Sequence, residues 1–183
     1  MQVFVENHWK VECFRQGELV WTAEFDNLVP TAGLNKLLDA TFKTGLPTPS
    51  WYVGLIADNP TFAAADTMSS HAGWTEDVNF AASVRPTLTV GTISAGSVSN
   101  SASKAAYTIS GAATLAGCFL SDSNTKGGAS GTLYAAGAFD GGDQAVVAND
   151  VVNVTVTLTA ATSGTSATGF MPVIQEVFGD FHP

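Results

Sequence analysis

Three observations predict a mainly β protein, an antiparallel β-sandwich of jelly-roll or Ig-like kind with one α-helix. Residues 8–15, 18–25 and 151–160 alternate apolar and polar side chains at the period of a half-buried strand. Between residues 87 and 160 short strand-like runs recur, separated by Gly, Ser and Asn turns. One stretch alone, near residues 31–44, repeats at helical period. The predicted organisation is a body over residues 1–161, with an N-terminal hairpin and the helix, followed by a linker and an extended C-terminal arm over 162–183.

The elements follow in order. Trp9, Val11 and Cys13 share one side of the first strand. Gln16-Gly17 turns the chain, and Leu19, Trp21, Ala23 and Phe25 share one side of the second. Pro30 breaks the pattern and Thr31 is placed to cap a helix. Leu34, Leu37, Leu38, Thr41 and Phe42 then give that helix one apolar stripe, expected to lie on the β-body. Gly45 is positioned to end it, and Pro47 and Pro49 bar continuation.

WYVGLIA at 51–57 is apolar without interruption, the mark of a central strand buried on both faces. Residues 58–77 form a long loop, with Phe62, Met68 and Trp74 available to anchor it. Further strands are expected near 87–90, 97–100, 105–110, 115–121, 132–139, 144–147 and 151–160. The last is the clearest, with Val152, Val154, Val156 and Leu158 on one side.

Residues 162–169, TSGTSATG, have linker composition. The segment beyond carries Phe170, Met171, Val173, Ile174, Val177, Phe178 and Phe181, too apolar for a solvated tail. It is expected to dock, on a neighbouring chain in preference to its own body, and these residues with Trp74 form the expected partner-binding set.

Composition narrows function. Of 183 residues 45% are hydrophobic and only 13% charged, about half the usual charged share, so Ser, Thr, Asn and Gly must supply the surface polarity. That suits β proteins whose surfaces meet other chains, and also secreted ones. A net charge of -9 with seven Lys and Arg disfavours nucleic acid and anionic membranes as partners. The first residues lack a basic region followed by an apolar one, so no signal peptide is expected. Cys13 and Cys118 read as buried thiols; a disulfide between them is left open.

No catalytic, cofactor or metal set is predicted. Asp58, Asp66, Glu76 and Asp77 lack calcium-loop spacing and read as solvated loop acids. His71 lies near Ser69, Ser70 and Asp66, but without a nucleophile elbow these suit loop hydrogen bonding better than catalysis. Lys126-Gly127-Gly128 lacks the phosphate-loop pattern and reads as a polar hairpin connection. Trp51, Tyr52, Trp74, Tyr107 and Tyr134 can supply a sugar-stacking platform; Trp74, in the loop, is the best exposed candidate among them.

Three segments taken together resemble a family of small structural proteins of tailed bacteriophages. They are LVPTAGLNKLLDATFK at 28–43, WYVGLIADNPTFAAADTMSSHAGWTE at 51–76, and SVSNSASKAAYTIS with CFLSDSNTKGGASGTLY within 97–134. The resemblance spans about residues 9–160 and leaves out the arm after Gly164. It implies a noncatalytic virion protein, of the capsid decoration or cement kind, that binds outside a capsid lattice at its two-fold or three-fold axes. The implied partners are the major capsid protein and copies of the chain itself, as a dimer or trimer. The implied location is the capsid surface, after synthesis in the host cytoplasm. A tail or tail-fibre component contacting host glycans is the alternative, and a hydrolase a third, disfavoured reading.

Overall fold

The computed structural model describes residues 4–43, 49–57 and 60–161. Ten strands and one helix follow in the order β1 Phe4–Arg15, β2 Glu18–Asp26, α1 Thr31–Phe42, β3 Tyr52–Ala57, β4 Glu76–Asp77, β5 Ser97–Ser99, β6 Ala105–Thr108, β7 Ala113–Ser121, β8 Leu133–Ala138, β9 Gln144–Val146 and β10 Val151–Ala161. They make two five-stranded antiparallel sheets packed as a sandwich. The first runs β2-β1-β10-β5, with β6 also on β10; the second runs β4-β3-β7-β8, with β9 also on β7.

The first sheet is built on the pairing of the first and last strands, Phe4 opposite Ala161 through Phe14 opposite Val151. Its inner face carries Trp9, Val11, Cys13, Val152, Val154 and Val156, all fully buried. Its outer face carries His8, Lys10 and Glu12 beside Thr157, Thr155 and Asn153. One wet and one dry face is why these strands alternate so cleanly. Trp9 stacks on Phe25 at 5.4 Å between ring centroids, and its indole N–H donates to Asn27 Oδ1 at 2.8 Å. The two sheets are tied across the core where Tyr107 Oη donates to the Val53 carbonyl at 2.7 Å.

The second sheet is buried on both faces. Val53, Leu55, Leu115 and Leu120 face the other sheet. Ile56, Phe119, Leu133 and Ala136 face outward into a smaller core with Met68 and Trp74 of the 60–75 loop. This accounts for the unbroken apolar run at 51–57. Gly54 is required here, because a Cβ would fall 2.1 Å from the Phe119 ring.

Three expectations need correction. Thr31 does not cap the helix: Pro30 occupies that position, and Thr31 N–H donates instead to Ala64 O of the long loop at 3.0 Å. The 87–90 run forms no strand; Thr87 makes a single bridge to Tyr52. The apolar stripe of α1 does not lie flat on the body. The helix approaches β8 so closely at Gly33 that a Cβ there would stand 2.2 Å from the Tyr134 carbonyl oxygen. Gly33 and Leu37 take the inward side, and Leu34, Leu38 and Phe42 turn to solvent, Phe42 being 77% exposed. Gly45 and Pro47 lie outside the described residues, as does the whole C-terminal segment 162–183 with Phe170, Met171, Val173, Ile174, Val177, Phe178 and Phe181.

Candidate functional site

The long loop is a structural lid on the second sheet. Trp74 is only 5% exposed, so it is not the exposed sugar-stacking aromatic expected. A loop position does not imply exposure when the sheet beneath lacks a covering layer. His71 stacks on Trp74 at 3.8 Å and its Nδ1–H donates to the Trp74 carbonyl at 3.0 Å. Asp66 Oδ2 accepts from the Trp74 indole at 3.2 Å and from Ala63 N–H at 3.1 Å. His71 and Asp66 thus serve Trp74 and do not form a relay. Of the other aromatic candidates, Tyr107 and Tyr134 are buried, and Trp51 packs on Tyr134 at 5.1 Å.

Beside this lid lies a buried ion pair that the sequence did not announce. Arg85 grips Glu76 with two hydrogen bonds, 2.8 and 2.7 Å. It also donates to the carbonyls of Ser123 and Gly128, at 2.8 and 3.0 Å, and lies over the Phe119 ring. Glu76 accepts a further bond from Gly127 N–H at 2.8 Å. Lys126 donates to the carbonyls of Phe80 and Ala82. The 126–128 turn is therefore the hairpin connection expected, fixed by side chains that consume its backbone groups. Asp77 accepts from the backbone and side chain of Asn79. Glu76 and Asp77 are therefore not the solvated loop acids expected, and among the described residues no group of three His, Cys, Asp or Glu is arranged to hold a metal.

At the hairpin end of the first sheet, Asp150 is fully buried and takes two hydrogen bonds from Arg15, both 2.8 Å, and one from Val147 N–H at 2.9 Å. The Arg15 donors are the main reason its carboxyl sits at about 2. Cys13, close by, is free, and burial pushes its thiol up to about 11. Cys118 is free too, its thiol pushed up by the same cause.

Two surfaces remain where apolar groups meet solvent. The first is on the outer face of the sheet above Asp150. Register places Leu19 of β2 beside Phe14 of β1, and Phe14 beside Val151 of β10. This gives an apolar row across three strands, directly after the polar rows of Glu12, Lys10 and His8. Leu19, expected on the side of Trp21, Ala23 and Phe25, is exposed instead, because the β1–β2 irregularity at Val20 shifts its register; Val151, Val20 and Val147 are exposed as well. β2 is also an end strand of its sheet, and such edges invite pairing.

The second surface is at the opposite end of the same sheet. A groove of about 720 Å³ separates α1 from the ends of β1, β5 and β10. Its walls include Leu38 and Phe42 of the helix, Val98 and Leu158 of the sheet, and Ile93, and no lining residue is charged. Next to it is Asn7, which follows Val5 on the inner face of β1 and stands opposite Leu158. Asn7 is 4% exposed, and among the described residues neither Nδ2 nor Oδ1 has a hydrogen-bond partner. Leaving such a group unpaired costs about 1–3 kcal/mol.

Comparison with models of known protein families finds no match, and comparison with curated proteins finds none. The resemblance to phage virion proteins rests on the three quoted segments.

Proposed function

We propose that the chain is a noncatalytic structural protein of a tailed-bacteriophage virion, a decoration protein that binds the outside of the capsid lattice and associates with copies of itself. The observation that carries this reading is the apolar row Leu19–Phe14–Val151 on an end of the sheet, on a protein with only 13% charged residues. Exposed apolar groups rimmed by polar ones mark protein–protein contacts. The flanking Glu12 pairs with both Lys10 and Lys104, which suits a polar rim. A rigid sandwich whose polar loop groups bond inward also suits a stabilising role better than a chemical one. The burial of Trp74 removes the feature that favoured glycan contact by a tail protein.

The test is binding of the purified protein to expanded capsids that lack it. The expected result is saturable binding and a raised capsid melting temperature. The double variant Leu19→Asp, Val151→Asp should retain its own melt and lose that binding. Absence of binding by the unaltered protein contradicts the reading.

A further inference from the structure

We infer that the groove between α1 and the ends of β1, β5 and β10 is the seat of the chain's own C-terminal segment, residues 170–181. The inference does not depend on where the protein acts. Four observations converge on this occupant. The groove is open and its walls are uncharged, with Ile93 74% exposed and Phe42 77% exposed at its rim. The strand from which the segment continues ends at the groove itself: Leu158, Thr159 and Ala160 of β10 line it. Residues 162–169 can span about 26 Å when extended, enough to reverse direction and return along the groove. Residues 170–181 then supply seven large apolar side chains and no cation.

The choice of the chain's own segment over that of a second copy follows from the tether. A short tether holds its cargo at a local concentration on the order of millimolar, which a second copy reaches only at comparable total concentration. The sequence-based preference for a neighbouring chain is replaced here by docking on the parent body.

The test uses the full chain. Leu38 is 55% exposed, and both native cysteines are buried, so introduced thiols react alone. Leu38→Cys is combined in turn with Val173→Cys, Ile174→Cys, Val177→Cys and Phe178→Cys and treated with a short bismaleimide. The expected result is a cross-link within one chain for at least one pair, with a yield independent of protein concentration. Cross-links only between chains, rising with concentration, or none in any pair, overturn the proposal. A second readout needs no cysteine. In the full-length variant Val177→Asp, Phe178→Asp, amide exchange at Val5–Asn7 and Leu158–Ala160 should quicken about tenfold or more. Exchange unchanged at those amides overturns the proposal as well.

Discussion

Arg85 holds more of the molecule together than any other polar side chain described, because one buried guanidinium joins Glu76 to the 123–128 turn. Removing one partner of a buried, hydrogen-bonded ion pair costs about 3–5 kcal/mol, since the other charge is left in an apolar surround. Arg85→Met should therefore lower stability by that amount in denaturant unfolding, while Arg85→Met with Glu76→Gln should recover part of it. A pH dependence belongs to Asp150. Its folded carboxyl lies at about 2, below the ordinary value of about 3.9. The stability it contributes is therefore complete above about pH 4 and is lost as pH falls through about 2. Arg15→Met removes the donors that hold the carboxyl down, so acid unfolding followed by circular dichroism should begin at a higher pH than in the unaltered chain. Neither residue was legible as structural in the sequence. A lone Arg in a loop and an Asp after an Asn-turn look like surface charges until burial and partners are known.

At the level of elements, what could be read depended on the number of wet faces. β1, β2 and β10 alternate because one face meets solvent, and the sequence placed all three. β3 could be placed as a central strand because the second sheet is dry on both sides. The nature of its second cover, the 60–75 loop with Trp74, was not visible, because a loop carries no periodicity to reveal which face it buries. The helix was found but its orientation was not. An apolar stripe at helical period assumes that large side chains face inward, whereas α1 meets β8 through Gly33. Gly33→Ala gives a sign test. Ala favours a helix over Gly by about 1 kcal/mol, but a Cβ 2.2 Å from the Tyr134 carbonyl oxygen forces the helix away. The variant should lose about 1–3 kcal/mol in a thermal melt, the range of overpacking. A higher melting temperature would mean that the helix does not approach so closely. Asn100 was expected to end a strand, and its side chain instead bridges the gap between β5 and β6, donating to Val154 O and accepting from Val156 N–H.

On the scale of the whole molecule, the first sheet has two unlike ends. One carries the cross-strand row of Leu19, Phe14 and Val151 on its outer face, suited to a partner. The other opens inward into the groove beside Asn7, suited to the chain's own C-terminal segment. The split assigns external association to the hairpin end and completion of the core to the helix end. The sequence pointed to both ends only in part: it marked residues 170–181 as a docking segment, but not the groove, whose walls come from five separate stretches of chain. The measurement that tests the proposed role most directly is cryo-electron microscopy of the particle that contains this chain. The account predicts density for two five-stranded sheets on the outer surface of the capsid, with Leu19, Phe14 and Val151 turned toward the shell or a neighbouring copy. Density for this sandwich on the tail, or on the capsid with that row turned to solvent, would contradict it.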